Sequence, residues 1–527
     1  MRSIEHPGGH TRLSYLIWAG GTLILTATFG LLATYNLANY RPVTNDEVEL
    51  MAVGYKLASQ AVLGSDMYAG FYGADQHFFI TLPLQHALQA FSFRLFEPGV
   101  LQARGVSVVA GMSIVWLVGL LAYRWYGLAA AAVCELLLVL WPSNLTAASN
   151  GLPLLGVART ARYDVLAVAT GWLAIAMLDA TLRKPRAGRA VLLGACCGLA
   201  AMSQFMGIFV LPVVVFNWLV ARVPVRVLLP ILGGFGVIAV PWLAFGALHA
   251  SDVAGQLTVY AGRGDFLRPD FYVENVTEEA SRYAHLLTRT DLSTLLLTVA
   301  IWPAAVYVAW RSRRSDVPGD RIVWSSLFIF AGLLLLLDHA KSSVYAIVLL
   351  PSICLALARV STGVLEWAWS RLWLRLAASV FGIVVMFAVT VDGSAAWQRT
   401  LMQAGQTTPY AAVGQQIERA LAPDARVLGP ERWWWAAHSH PYLSLRSVWW
   451  QWGVSSGPSL ADVDNIIVND NVRDDILLFP ESVQQRFWTF VRMCTTHVAA
   501  LDDPTYFGID IYRVLKPAAE SDLCPSG

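Results

Sequence analysis

The sequence predicts a polytopic α-helical membrane protein of about eleven transmembrane helices, with a small extracytoplasmic α/β domain at the C-terminal end. Three observations predict it. Of 527 residues, 56% are hydrophobic and only 14% charged, with a mean hydropathy of +0.52, and a water-soluble domain has no interior large enough to hide so much apolar surface. The apolar residues come in runs near the ~20 residues that cross a ~30 Å hydrocarbon layer. From residue 392 onward those runs stop, and polar helical patterns alternate with short β-rich segments.

The first element follows Arg2 and Arg12, where roughly twenty apolar residues are too long for a signal-peptide core and lack a clear cleavage site. It is expected to be a retained span. Further spans are expected near 100–123, 128–148, 163–182, 190–205, 207–221, 228–248, 292–310, 322–338, 343–358 and 374–391. The short loops "YRWYG", "RKPRAGR", "ARVPVR", "RSRRSDVPGDR" and "RLWLR" are basic and alternate with the other set. By the positive-inside rule the N-terminus is cytoplasmic. Outside the cytoplasm then lie two long loops, 36–99 and 249–291, attached to a membrane domain of residues 1–391. The α/β domain of residues 392–527 is on the same side.

In that last domain strands are expected at 425–430, 463–470, 496–502 and 509–515, and helices at 408–422 and 480–493. An extracytoplasmic location permits a disulfide between Cys494 and Cys524. The other four cysteines sit in apolar runs without metal-ligand spacing, as small buried hydrophobes do. A net charge of +1 argues against bulk electrostatic binding of nucleic acid, so function must come from local groupings.

The most suggestive grouping is "PVTNDEVELM", which places Asp46 and Glu47 where the chain leaves the first span. Thr44 or Asn45 followed by acids is also an ordinary helix N-terminus, with carboxylates stabilised in the first turn. The residues that follow, 55–98, look like amphipathic segments lying along the membrane interface.

Several features in order resemble the GT-C class of membrane glycosyltransferases, in particular its protein O-mannosyltransferase and lipid A aminoarabinose transferase branch. They are "TNDEVELMAVGYKLA" after one span, "TLPLQHALQAFSFRLF" and then Arg104 in "LQARGVSVVAG", Arg162 and Asp164 in "ARTARYDVLAVATGWLAIA", and Lys341, Tyr345 and Pro351 in "DHAKSSVYAIVLLPSICLALA". The resemblance covers residues 1–391. The Asp-x-His-Pro-Pro of the eukaryotic mannosyltransferases is broken here: Asp75 and His77 are kept but separated from Pro83.

The resemblance implies inverting transfer of a sugar from a polyprenyl-phosphate donor to an extracytoplasmic hydroxyl on a protein, lipid or glycan. Such a transfer needs a base for the acceptor proton, a contribution of ~10²–10⁴-fold, and fixed cations for the departing phosphate. Asp46 is the expected base, with Glu47 orienting the acceptor or sharing the role. Lys341, Arg104, Arg162 and Tyr345 are the expected phosphate-binding residues, and Asp75 and His77 are candidates for substrate binding. The residues named require no cofactor, although related enzymes of the wider class use a divalent metal. The implied setting is a bacterial plasma membrane.

Each residue also has a plainer reading. Lys341 and Arg104 near span ends can snorkel to headgroups, Arg162 and Asp164 can form a helix-end ion pair, and the tryptophans of "RWWWAAHSH" and "SVWWQW" can pack against the membrane domain rather than stack on sugars. A transporter or lipid flippase is the competing function. Such proteins show inverted repeats and ionisable groups at mid-membrane, whereas the charges here cluster at span ends. A catalytically dead, lipid-binding relative is a third reading.

Overall fold

The computed structural model describes residues 12–141, 154–261, 268–288, 292–314, 317–338, 342–368, 372–454, 460 and 462–515. Helix α1 (Arg12–Thr34) enters from the N-terminal side and is followed by α2 (Asn45–Gln60) and α3 (Pro83–Leu95). A bundle then runs through α4 (Val100–Tyr126), α5 (Leu128–Leu140), the short α6 (Leu154–Ala158), α7 (Asp164–Arg183), α8 (Ala187–Ser203), α9 (Val210–Val220) and α10 (Leu228–Leu248). Next come α11 (Ala250–Ala261), α12 (Pro269–Thr288), α13 (Leu292–Ser312), α14 (Pro318–Leu337), α15 (Leu350–Ala368) and the long α16 (Leu372–Gln406).

Each expected span overlaps a helical segment, and the one near 128–148 is described only to residue 141, with α5 ending at Leu140. Among the described residues, six segments are long and apolar enough to cross a membrane: Arg12–Thr34, Val100–Tyr126, Asp164–Arg183, Val225–Leu248, Pro318–Leu337 and Val344–Gly363. They leave Leu31, Leu229, Val237 and Leu248 exposed, an arrangement that only a lipid surround makes favourable. The protein is an integral membrane protein. Polar contacts tie the spans together: Glu135 of α5 accepts hydrogen bonds from Trp18 Nε1 (3.1 Å) and Thr22 Oγ1 (2.7 Å) of α1, since a buried carboxylate without donors is costly.

The C-terminal unit is built from α17 (Tyr410–Ala420), α18 (Leu445–Val454), α19 (Asp470–Asp475), α20 (Glu481–Cys494) and five strands. The strands are β1 (Val427–Gly429), β2 (Tyr442–Ser444), β3 (Asn465–Asn469), β4 (Thr495–Asp503) and β5 (Phe507–Val514), in sheet order β2-β1-β3-β5-β4. The first two pairings are parallel and the last two antiparallel. Four strands lie where the hydrophobic pattern expects them, and β2, only three residues long, is additional. Cys494 is disulfide-bonded; Cys524, its expected partner, lies outside the described residues.

This unit shares a core with the layer formed by α2, α3 and the loop between them. Val48, Met51, Tyr68, Phe71 and Phe78 pack in one cluster with Tyr410, Val413, Trp433, Ile467 and Tyr506. The tryptophan-rich segments supply much of the contact. Trp433 stacks on Tyr410 at 5.6 Å, Trp434 and Trp435 meet Tyr55 edge-on, and Trp450 stacks on Tyr68 at 6.3 Å. Trp433, Trp434, Trp435 and Trp450 pack into the core shared with the α2–α3 layer, whereas Trp449 packs inside the C-terminal unit against Phe479 and Phe487.

Candidate active site

The site forms where α2 begins. Thr44 is the N-cap, and its hydroxyl accepts from the Glu47 amide at 3.4 Å while its own amide donates to Glu47 Oε2 at 3.2 Å. This reciprocal capping satisfies two otherwise orphaned amides and turns Glu47 inward. There it is fully buried and accepts Arg104 Nε at 2.9 Å, Arg104 Nη2 at 3.0 Å and the Ala161 amide at 2.7 Å. Arg104, also fully buried, donates two further hydrogens to the carbonyls of Leu37 and Arg41, each at 2.8 Å. Arg159 similarly closes the end of α1 by donating to the carbonyls of Leu32, Ala33, Tyr35 and Tyr40.

One residue earlier, Asp46 points the other way, with its side chain half exposed. Its Oδ2 accepts from Arg162 Nη1 at 2.5 Å. Arg162 also donates Nε to Asp164 Oδ2 at 2.8 Å, and Asp164 Oδ1 accepts from Gln204 at 3.0 Å. Burial opposes the charge of Arg162, yet Asp164 and Asp46 outweigh it and raise its pKa above the ordinary arginine value. Tyr345 lies close enough to Asp164, Arg162 and Asp46 for their charges to act on its hydroxyl.

The C-terminal unit contributes the remaining wall. Arg446 of α18 lies 3.9 Å from Asp46 Oδ1, 3.7 Å from Glu49 Oε2 and 3.7 Å from Glu431 Oε1. Burial opposes its charge too, and the three carboxylates more than compensate. Burial, with Glu431 and Asp46 nearby, pushes the Glu49 carboxyl up to about 8 despite the pull of Arg446. Asn45 fixes the junction, donating to Asp475 at 3.2 Å and accepting the Arg432 amide at 3.2 Å.

The structure therefore brings together Asp46, Glu47, Arg104, Arg162 and Tyr345 of the expected set, and divides them. Glu47 and Arg104 satisfy each other in the interior, whereas Asp46 and Arg162 line an opening. Lys341 lies outside the described residues. Asp75 and His77 stand apart. The side chain of Asp75 accepts from its neighbour Gln76, and its carbonyl accepts from Lys56 at 2.8 Å. His77 pairs with Asp252 at 3.0 Å and stacks on His249. Sequence reasoning did not assign Glu49, Glu431 and Arg446, two of which come from the far end of the chain. Asn275 of α12 is buried, and its side-chain amide donates to the Leu336 carbonyl at 2.9 Å.

Solved structures share this architecture. ArnT from Cupriavidus metallidurans bound to undecaprenyl phosphate superposes over 97% of this chain and 99% of its own, with a TM-score of 0.58 and 14% identity. The apo form of the same protein gives 0.59 at 16% identity, covering 95% of this chain and 99% of its own. The oligosaccharyltransferase AglB from Archaeoglobus fulgidus, in complex with an inhibitory peptide and a dolichol-phosphate, gives 0.54 at 10% identity, over 93% of this chain and 74% of its own. The fold is of the GT-C type. No protein-family model and no curated relative matches the sequence. The opening at Asp46 presents the guanidinium groups of Arg162 and Arg446.

Proposed function

We propose that the protein transfers a sugar from a polyprenyl-phosphate donor to an acceptor hydroxyl at the extracytoplasmic membrane surface, with inversion at the anomeric carbon. The observation that carries this reading is the half-exposed Asp46 carboxylate set between Arg162 and Arg446 at the head of a GT-C bundle. The two GT-C neighbours bound to polyprenyl phosphates support the donor class. The eleven expected spans and the basic loops support the orientation, with residues 36–99, 249–291 and the sheet-bearing unit on the outer side.

In this reading Asp46 accepts the proton of the acceptor hydroxyl as its oxygen bonds to the anomeric carbon. The bond to the donor phosphate breaks on the opposite face of the sugar. Arg162, with Tyr345 beside it and Lys341 on the strength of the sequence resemblance, balances the charge that gathers on the leaving phosphate. Glu47 and Arg104 are positioning residues: their pair locks the first turn of α2, and with it the direction in which Asp46 points. An apolar groove of about 780 Å³ lined by Leu37, Leu88, Phe91, Leu101, Trp116 and Leu166, among others, is chemically suited to a hydrocarbon chain of a lipid substrate.

The test is turnover of purified protein with a panel of polyprenyl-phosphate sugars, read as released polyprenyl phosphate. We expect Asp46→Asn to lower the rate by ~10²–10⁴-fold while the variant melts like the wild type. Unchanged turnover in the variant removes Asp46 as the base. Vesicle flipping without turnover, for any donor, replaces transfer by transport.

A further inference from the structure

We propose that the pocket between α17 and the start of α4 binds the headgroup of an aminophospholipid, a bilayer lipid that carries a phosphate and a primary ammonium. The pocket has a volume of about 730 Å³ and is walled by the α1–α2 connection at Ala38 and Asn39, the first turn of α4, α17 and residues 435–439. Small residues form its floor. A Cβ on Gly414 would fall 2.9 Å from the Ala436 Cβ, so glycine lets α17 lie close against that segment.

Two neighbouring side chains of α17 supply opposite charges to the pocket. Arg419 is exposed and forms no ion pair among the described residues. Glu418 is held by one oxygen: Oε1 accepts from Ser439 Oγ at 2.9 Å and lies 3.2 Å from His440 Nε2, whereas Oε2 is buried and accepts from no described residue. A buried carboxylate oxygen without a donor is costly, and an ammonium N–H entering the pocket is the donor it lacks. Around this pair Asn39, Gln102 and Gln415 offer amides to phosphate and ester oxygens. Trp435 and His438, stacked with centroids 5.4 Å apart, give the methylenes of the headgroup an aromatic wall. Fixed groups of both signs in one pocket match a zwitterion and disfavour a headgroup of a single charge.

Leu101 and Gln102 line both this pocket and the apolar groove. A polar pocket therefore opens onto hydrocarbon-facing surface, as the junction between a lipid's head and its chains requires. Leu95, Phe96 and Leu101, all exposed, form the lip of the groove at that junction and are the contact for the acyl chains. The α7 wall of the groove, with Leu166 and Leu173, is left to the chain of a lipid substrate. The pocket shares no lining residue with the cluster around Asp46, and lipid binding in it does not depend on the transfer reaction.

The experiment uses the full chain in detergent micelles, washed free of lipid. Phosphatidylethanolamine, phosphatidylcholine or phosphatidylglycerol with the same acyl chains is added singly, and bound lipid per chain is read by native mass spectrometry. We expect phosphatidylethanolamine to bind about 10-fold more tightly than either of the others, the factor that one charged hydrogen bond contributes. Phosphatidylcholine is the sharp control, because its trimethylammonium has no N–H for Glu418. Glu418→Gln is expected to erase the preference, and Arg419→Ala to weaken phosphatidylethanolamine and phosphatidylcholine alike, each variant melting like the wild type. Equal affinity of the wild type for these two lipids overturns the proposal. So does an unchanged preference in folded Glu418→Gln, or unchanged affinity in Arg419→Ala, whose exposed side chain the fold does not need. Soluble glycerophosphoethanolamine, tested alone, should bind far more weakly than the lipid, and equally tight binding would overturn the assignment to a bilayer lipid.

Discussion

Asp46 and Glu47 are adjacent carboxylates, each facing an arginine, and they inhabit different chemical worlds. Glu47 is fully buried and saturated by Arg104, the Ala161 amide and the cap of α2. Asp46 is half exposed, and its cations Arg162 and Arg446 are themselves shared among Asp164, Glu49 and Glu431. A helix turns consecutive side chains by about 100°, so one residue step takes a carboxylate from the interior to the opening. The difference teaches that in this acidic pair one member builds the site and the other is left available to work in it.

That division can be broken from either side. Glu47→Ala leaves Arg104 buried without a counter-charge, and we expect a loss of about 3–5 kcal/mol, measured as a collapse in the yield of monodisperse protein and a lower melting temperature. Asp46→Asn is expected to melt within the range of ordinary surface changes, about ±0.5 kcal/mol, while its turnover falls as described above. If both variants lose stability equally, the two carboxylates are one structural unit and the contrast fails.

Arg162→Met sharpens the contrast on the cationic side. A charged hydrogen-bonding group aimed at developing phosphate charge contributes roughly 10²–10³-fold when removed, so we expect kcat to fall by that order. A change confined to KM would instead assign Arg162 to ground-state binding.

Glu49 gives a pH-dependent test. Its folded carboxyl titrates at about 8, above the ordinary glutamate value near 4.3. Between those values the folded state holds the proton that the unfolded state has released, so stability contributed by this group is full below the lower value and falls as pH rises toward the upper one. Glu49→Gln removes that fall. We expect the variant to melt close to the wild type at pH 5 and clearly higher at pH 8.5, with the gap widening as pH rises toward the folded value. At the small end, Arg473→Ala breaks exposed pairs with Asp470 and Asp510 and should shift stability by less than about 1 kcal/mol.

Much of the scaffold was legible because hydrophobic run length is a local property. The apolar helices of the bundle and four of the five strands needed no tertiary information, whereas α11 and α12 lie in a stretch read as an outside loop. The place of Asp46 and Glu47 was legible as well, and so was a sign of their difference: Thr44-x-x-Glu47 is a capping-box spacing, which commits the glutamate to its own helix end. What was not legible depends on long-range closure. Arg162 reaches Asp46 across 116 residues, and Arg446 and Glu431 arrive from a separately patterned unit. Arg104 looked like a phosphate ligand or a snorkelling cation, because nothing local reveals that Glu47 and the Leu37 and Arg41 carbonyls hold it in the interior.

The core shared by Tyr68, Phe71 and Phe78 with Tyr410, Trp433 and Tyr506 also has a consequence for biogenesis. The first of these groups leaves the ribosome early and the second near the end of translation, which at ~5–20 residues per second is a wait of roughly half a minute. Until then the aromatic face of that early segment has only its membrane-adjacent neighbours to cover it. The nascent chain would need a holdase or insertase to shelter that face, and shortening the gene from its 3′ end would leave the early half permanently in that unfinished state.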